Sequence, residues 1–315
     1  MSYKVIAWYL FTELEDPYSE IKRQKDFLSK LDVKGRIYIS EEGVNAQMSA
    51  SNASAEAYIE WIRKDGNFSC VDFKIHEADE HAFDRLTIKY RDQLVAMDQK
   101  IDTRLTGAHV PPKEWAKMIE EKDPDTILID VRNDYESEVG HFDGALKPSI
   151  STFREFPGYA DQLVEQYDPK KTRVMMYCTG GIRCELYSAL MRERGFEEVF
   201  QLDGGVIKYG LEEGTKHWRG RLFVFDDRLV VPISEDNDEV ISSCSFCKKP
   251  SDRYYNCAHM DCNELFLSCL ECVEEMKGCC SEACTHAKRL RPFEPTKTPK
   301  PYRRLPKEVK DQLDS

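Results

Sequence analysis

The 315-residue sequence lacks the features of a membrane or secreted protein. No stretch approaches the roughly 18 consecutive apolar residues that a membrane-spanning helix needs. The first residues, MSYKVIAWYLFTELED, hold a short apolar run that leads into acidic residues, with no small-residue cleavage site. This pattern predicts a first strand and not a signal peptide. We therefore expect a protein of the reducing cytoplasm with no membrane partner, in which cysteines serve as metal ligands or catalysts more often than as disulfides.

An excess of positive charge is also missing. The formal net charge of −12 argues against binding nucleic acid over the whole surface. The charge is uneven, however, because residues 285–315 contain nine Lys or Arg and only four Asp or Glu. Such a tail can bind a phosphate backbone, although charge alone more often indicates a solvated tail.

Signals for the usual oxidative cofactors are absent as well. The chain has no Gly-x-Gly-x-x-Gly fingerprint of a flavin-binding fold and no facial pair of histidines with a carboxylate for non-haem iron. We expect neither flavin nor haem.

The chain divides into segments of different character. Residues 1–95 give strand and helix signals in the order βαββαβ, which is the ferredoxin-like, or acylphosphatase-like, split pattern. Residues 96–122 read as a connector with one short helix that begins at a pair of prolines. Residues 123–218 alternate buried strands with helices, which predicts an α/β domain with a parallel sheet.

The C-terminal part has a different composition. Residues 219–286 contain a predicted hairpin that turns at Asp226 and Asp227, followed by a cysteine-rich segment. Residues 287–315 form a basic tail with several prolines, for which we expect an extended or loosely docked chain.

One cysteine lies at the mouth of a glycine loop. In MMYCTGGIRCEL an apolar run ends at Cys178, and two glycines follow directly. A free thiol has a pKa of about 8.5, so a nucleophilic cysteine needs help to ionise at neutral pH. The partial positive charge at the N-terminus of the following helix and the charge of Arg183 both favour the thiolate. Backbone N–H groups of the loop can also point at the sulfur, because glycine permits the required conformation. The residues that carry these N–H groups are Thr179, Gly180, Gly181 and Ile182. Such a nest suits a thiolate, a persulfide or a bound oxyanion equally well.

This central segment resembles the rhodanese homology domain over about 95 residues. The likeness rests on DVRNDYESEVGHFDGAL, YCTGGIRCE and LDGGVIKYG, which occur in that order. The resemblance implies that Cys178 is a nucleophile able to carry a persulfide. It also implies that Arg183 either holds an anionic substrate group or stabilises the sulfur anion. The loop from Cys178 to Arg183 has the short, sulfur-sized length, one residue less than in related phosphatases.

Other residues near the loop have less certain roles. Cys184 is either a resolving thiol or, as we favour, a packing residue. Asp130, Arg132 and His141 read mainly as scaffold, through a buried ion pair and a turn anchor.

Nine of the twelve cysteines lie between Cys244 and Cys284, and this segment contains two Cys-x2-Cys pairs. In a cytoplasmic chain this density is a strong signal for structural zinc, although an iron–sulfur cluster also uses four thiolates. We predict two sets of four metal ligands: Cys244, Cys247, Cys269 and Cys272; and Cys257, Cys262, Cys280 and Cys284. This assignment leaves Cys279 without a role as a ligand. An assignment with the partners exchanged between the two sets stays open.

The whole order of segments, together with GRIYISEEGVNAQMS, resembles the oxygen-dependent tRNA uridine(34) hydroxylase family over about 280 residues. Ala46 departs from a second glycine present in many relatives. The resemblance implies conversion of uridine at wobble position 34 to 5-hydroxyuridine with O2, and hence tRNA as partner. Candidate RNA-binding residues are Lys89, Arg91, Arg104, Arg219 and Arg221.

Two other functions remain open at this point. The rhodanese-type loop alone predicts a sulfurtransferase that passes persulfide sulfur to a small-molecule or tRNA acceptor. The second function is that of an RNA-binding or protein-binding adaptor without enzymatic activity, whose fold is stabilised by zinc. If this function is correct, Cys178 is dispensable.

Overall fold

The computed structural model describes residues 2–99 and 101–293. The chain forms two compact units. Among the described residues, the first unit lies within 2–134 and 144–217, and the second within 135–143 and 218–293. No described helix is long and apolar enough to span a lipid bilayer.

The first unit begins with an antiparallel sheet covered by two helices, and the predicted order βαββαβ is confirmed. A fifth strand, β5, follows and pairs in parallel with β2, which the sequence did not predict. The strands lie in the order β4-β1-β3-β2-β5. The elements are β1 Tyr3–Phe11, α1 Pro17–Leu28, β2 Val33–Ser40, β3 Gly43–Ser51, α2 Asn52–Arg63, β4 Lys74–Ala78 and β5 Leu86–Tyr90.

Strand β1 presents a different surface on each side of the sheet. Ile6 and Trp8 lie in the core that also contains Tyr58 of α2. Because successive side chains of a strand point to opposite faces, Tyr9 and Phe11 leave the sheet on the other side, and Phe11 packs against the core of the following sheet. One face of the first sheet is therefore available to the central domain.

The central sheet is parallel, as predicted, with the order β6-β10-β9-β7. All five residues of β7 are buried, which is typical of a parallel strand covered on both faces. The elements of this part of the chain are β6 Ala108–Val110, α3 Pro112–Glu120, β7 Thr126–Asp130, α4 Asp134–Val139, β8 Gly140–Phe142, α5 Phe156–Gln166, β9 Arg173–Tyr177, α6 Ile182–Glu193, β10 Glu198–Leu202 and α7 Gly205–Glu213.

Two details of this region differ from the sequence prediction. Strand β6 lies within residues 96–122, which we predict as a connector, and it pairs with β10 as an edge strand. The stretch after β10, in which the sequence LDGG is typical of a turn, contains helix α7. A three-residue strand gives too short a periodic pattern to be recognised, and the two glycines before α7 read more naturally as a turn.

The predicted buried ion pair is confirmed. Arg132 and Asp130 form an ion pair with a distance of 2.6 Å between Nη2 and Oδ2, and both side chains are fully buried. The Tyr177 hydroxyl donates a further hydrogen bond to Asp130. This pair fixes the ends of β7 and β9 next to each other.

The second unit consists of short strands and helices. Strands β8 and β11 pair, the predicted hairpin is present as β12 and β13, and β14 pairs with β15. Val139, Phe223, Tyr254 and Leu267 form one small core. The predicted basic tail lies outside the described residues from position 294 onward. The elements are β11 Trp218–Gly220, β12 Leu222–Phe223, β13 Val230–Val231, β14 Tyr254–Asn256, β15 Leu265–Leu267, α8 Leu270–Glu275 and α9 Glu282–Thr285.

Candidate functional site

The cysteine loop connects β9 to α6 at the carboxyl end of the parallel sheet. Cys178 follows the last residue of β9, and Gly181 precedes α6 with a φ of 101°. The Gly181 N–H donates to the Cys178 sulfur over 3.1 Å. A positive φ of this size is unstrained only for glycine, which explains the Gly-Gly sequence.

The surroundings of Cys178 favour the thiolate although the residue is completely buried. Burial raises the pKa of the thiol, but a hydrogen bond from the Cys184 thiol, the charge of Arg183 and the N–H groups of both residues outweigh it, and the pKa falls to about 5. The sulfur is therefore ionised at neutral pH. Gly181, one of the four predicted N–H donors, bonds the sulfur. Arg183 and Cys184, which supply the further N–H groups, lie in the first turn of α6.

Arg183 and Cys184 hold the loop from the helix side. Arg183 is buried, donates to the Thr179 hydroxyl over 3.2 Å, and lies with its guanidinium 5.1 Å from the centre of the Phe153 ring. The pKa of Cys184 is raised by burial and by the neighbouring Cys178 thiolate, so Cys184 stays protonated. Cys184 thus acts as a hydrogen-bond donor to the thiolate.

The start of α7 locks the loop from the other side. The N–H groups of Val206 and Ile207 donate to the carbonyls of Cys178 and Thr179, each over 3.0 Å. Gly205 has a φ of 66°, and a Cβ at this position would come within 2.6 Å of the Cys178 carbonyl oxygen. The second glycine of LDGG is therefore required for the close approach.

We expect Gly205→Ala to lower the free energy of unfolding by roughly 2–4 kcal/mol, because it combines a backbone strain with a clash against a carbonyl. Urea unfolding measures this loss. Gly158→Ala is the matched control, since a Cβ there meets nothing within 4 Å, and helix α5 favours alanine. Equal stability of the two variants would show that the loop is not locked by α7.

Two side chains of the first domain reach the same loop. Lys74 of β4 is paired with Ala7 of β1, so it shares a sheet face with Tyr9. The Tyr9 hydroxyl lies 2.7 Å from the position that a Cβ on Gly181 would occupy. The Lys74 ammonium lies 5.1 Å from the centre of the Tyr9 ring. The first domain therefore completes the surroundings of the cysteine loop.

Glu185 joins the two domains through hydrogen bonds. Its carboxylate accepts from the hydroxyls of Tyr9 and Thr106, each over 2.9 Å, and lies 2.8 Å from His109 Nε2. Burial raises the pKa of Glu185, but His109 and Tyr9 lower it further than burial raises it. The pKa of His109 is raised in turn by Glu185. A continuous set of polar groups thus runs from the loop to the partly exposed His109.

Tyr9, Lys74, His109 and Glu185 were not identified from the sequence. Glu185 belongs to the YCTGGIRCE stretch and was the one available signal. The other three depend on strand register and on the packing of two domains, which no local pattern reveals.

Most of the candidate RNA-binding residues form ion pairs with carboxylates. Arg104 pairs with Asp102, Arg219 with Glu239 and Arg221 with Asp252 at distances of 2.7, 2.6 and 3.1 Å. Arg91 is exposed and lies over the Tyr38 ring, and Lys89 is exposed on the neighbouring strand β5. Lys89 and Arg91 are therefore the better candidates for phosphate contacts.

The cysteines of the second unit form two groups, and these are the two sets that we paired from the sequence. In each group the four sulfurs lie within 4.8 Å of one another. The groups are Cys244, Cys247, Cys269 and Cys272; and Cys257, Cys262, Cys280 and Cys284.

The sulfur spacing suits a tetrahedral metal ion. Four thiolates at about 2.3 Å from zinc are about 3.8 Å apart, and the sulfurs of Cys247 and Cys269 are separated by 3.7 Å, those of Cys262 and Cys280 by 3.6 Å. Burial raises the pKa of Cys244, but N–H groups including those of Cys247 and Cys269 lower it to about 6. Donors of this kind also support a metal-bound thiolate. Either group can hold a metal ion.

Cys279 is buried and belongs to neither group. His259 and His286 are not among the ligand sets either. Cys279 is therefore not among the candidate metal ligands, in agreement with the sequence analysis.

Three family models match the chain in succession. Residues 3–94 match the UPF0176 acylphosphatase like domain, residues 111–212 the Rhodanese-like domain, and residues 219–285 the Rhodanase C-terminal model. The last model covers both cysteine groups.

Curated relatives match over almost the whole chain. A tRNA uridine(34) hydroxylase of Protochlamydia amoebophila is 49% identical over 100% of this chain and 98% of its own. The protein of the same name from Chlamydia abortus is 52% identical over 96% of this chain and 93% of its own.

Solved structures that resemble this chain include two that cover about a third of it. The rhodanese-like domain of an Anabaena protein is 20% identical, covering 36% of this chain and 78% of its own with a TM-score of 0.30. A single domain sulfurtransferase of Saccharomyces cerevisiae is 16% identical, covering 35% of this chain and 94% of its own, again with a TM-score of 0.30. At such scores the likeness carries no functional argument.

Proposed function

The chain belongs to the tRNA uridine(34) hydroxylase family, and we propose on this basis that it hydroxylates uridine 34 of tRNA. The observation that carries the proposal is identity of about half the residues over nearly the full length of relatives with that name. It favours hydroxylation over sulfur transfer, which rested on the rhodanese-type loop alone. Uridine 34 lies in the anticodon, so we propose the anticodon region as the part of tRNA that is bound, and the cytoplasm as the place of action.

We propose 5-hydroxyuridine as the product and O2 as the source of the new oxygen. Replacing C5–H by C5–OH removes two electrons from the base. O2 accepts four electrons when one of its atoms enters the product and the other becomes water. A two-electron reductant is therefore also needed. We propose two thiol groups, which reduce the second oxygen atom to water and are together oxidised to one disulfide.

Cys178 is proposed as the nucleophile. Its thiolate forms a bond to C6 of uracil, and the electrons of the C5=C6 bond move through C4 onto O4, which makes C5 reactive toward an oxidant. After oxygen has been added at C5, loss of the C5 proton and departure of the thiolate restore the double bond. This is covalent catalysis by an activated thiolate, and the pKa of about 5 supports it. Arg183 holds the loop and neutralises the thiolate.

The cysteine groups are proposed to bind zinc as structural ions. Paired Cys-x2-Cys turns and sulfur spacings near those of a tetrahedral site support zinc. The ions would hold the second unit in its folded form, because its short strands and small cores offer little apolar burial.

Incubation of the purified protein with tRNA, a thiol reductant and isotopically labelled oxygen gas tests the function. We expect 5-hydroxyuridine at position 34 carrying the label, as measured by mass spectrometry of nucleosides. A thiolated nucleoside would indicate the sulfurtransferase, and an unmodified tRNA would refute the hydroxylase.

A further inference from the structure

A buried lysine from the first domain faces the cysteine loop without an ordinary partner. Lys74 is only 6% exposed. No hydrogen bond or ion pair joins its ammonium to any residue in the described part of the chain, and the ammonium lies 5.1 Å from the centre of the Tyr9 ring. An unpaired buried ammonium is destabilising by several kcal/mol at the extreme. A side chain retained at such a cost is a candidate for function.

The Cys178 thiolate is among the charges that act on Lys74. Burial lowers the pKa of Lys74, and the negative charges of Asp72, Asp203 and Cys178 raise it in part, while Lys208 lowers it again. Asp203 is already paired with Lys208 at 2.6 Å. The Lys74 ammonium therefore interacts electrostatically with the Cys178 thiolate, and Asp203 does not form an ion pair with it.

The loop has free space next to one of its glycines and a contact with the first domain at the other. A Cβ on Gly180 would meet nothing within 4 Å, whereas one on Gly181 would strike Tyr9. The ring of the same Tyr9 lies against the Lys74 ammonium. The first domain therefore places a cation next to the cysteine loop.

We propose that Lys74 is a catalytic residue that binds the carbonyl oxygen of the pyrimidine on which negative charge develops. The inference rests on the proposed function and deepens it. When the Cys178 sulfur bonds to C6, the displaced electron pair comes to rest on O4, and Lys74 donates a hydrogen bond to that oxygen. A cation placed in advance in a dry site stabilises developing charge far more than water does.

Lys74→Met tests the role, with Lys4→Met as the matched control. Lys4 lies on the adjacent strand β1, and its partner is Glu56 at 3.5 Å, away from the loop. We expect the turnover rate of Lys74→Met to fall about 100-fold, as for loss of an oxyanion-stabilising group. The Kd for tRNA should change less than about twofold, because a transition-state contact contributes little to ground-state binding.

Stability supplies a second readout that a structural role would not give. Removing a buried unpaired charge should raise the midpoint of urea unfolding of Lys74→Met, so activity falls while stability rises. Lys74→Gln replaces Lys74→Met if the latter fails to fold, and the same loss of turnover is expected.

The outcomes separate this inference from the proposed function. A wild-type protein that makes no 5-hydroxyuridine refutes the function itself. An active wild type with an equally active Lys74→Met overturns the role of Lys74. A loss that appears wholly as weaker tRNA binding also overturns it, because it assigns Lys74 to the phosphate backbone.

Discussion

Cys178→Ser is expected to reduce hydroxylation of uridine 34 by at least about a thousandfold, the scale on which removal of a nucleophile acts in other enzymes. Serine preserves the shape of the buried side chain, but its hydroxyl stays protonated at neutral pH where the thiol, with a pKa of about 5, is ionised. The rate of 5-hydroxyuridine formation in single-turnover assays measures the loss.

Cys70→Ser is the control for this change, because Cys70 is exposed in the first domain. It should keep full activity, and both variants should bind tRNA as the wild type does. Full hydroxylation by Cys178→Ser would end the covalent mechanism, and a loss of tRNA binding would assign Cys178 to the fold.

The same thiolate sets the pH dependence. Its pKa is lowered from that of a free thiol to about 5, so the reactive form is present throughout the neutral range and disappears as the pH falls through about 5. We expect ionisation of Cys178 to cause no change in kcat/KM near neutral pH. We expect kcat/KM to fall as the pH decreases through about 5, because the thiolate is then protonated. An activity that instead rises up to about pH 9 would show that the thiol is not activated.

The sequence determined the chemistry of the loop because that chemistry is local. The glycines next to Cys178, the arginine that follows and the closing LDGG pattern act over a few residues, and their spacing predicts a nest around the sulfur. Gly205 illustrates the limit. The LDGG pattern indicated that Gly205 belongs to a motif. The reason for the glycine is its close approach to the Cys178 carbonyl, which only the packed loop reveals.

The contribution of the first domain to the site was not predictable in the same way. Tyr9 lies in an alternating strand where its position reads as an ordinary solvent or packing face, and Lys74 reads as a surface charge. Only the register of β1 against β4 places both on one face, and only domain packing brings that face to Gly181. Edge strands such as β6 were missed because three residues give no usable period.

Cys247→Ser and Cys262→Ser are each expected to remove one of two bound zinc ions. Each variant deprives a different group of one thiolate. Three thiolates do not complete a tetrahedral structural site. Metal analysis of the purified protein should find about two zinc ions per chain for the wild type and about one for each variant.

The consequence for folding should be large, because zinc binding in small modules contributes on the order of 10 kcal/mol and is effectively folding free energy. Loss of either ion should therefore unfold the local structure around that group, as measured by the protection of its amides from hydrogen exchange. The two groups share no ligand, so each variant should leave the other ion in place.

Cys279→Ser provides the internal control, because Cys279 is buried in the same module but belongs to neither group. It should retain both ions. Loss of zinc from Cys279→Ser comparable to that from Cys262→Ser would reverse the assignment of ligands. A brown colour with visible absorbance would show that the cysteines bind an iron–sulfur cluster and not zinc. The distinction matters for the reaction, because zinc exchanges no electrons. With zinc in both groups, the two electrons that O2 requires beyond those of the base come, as we propose, from thiols.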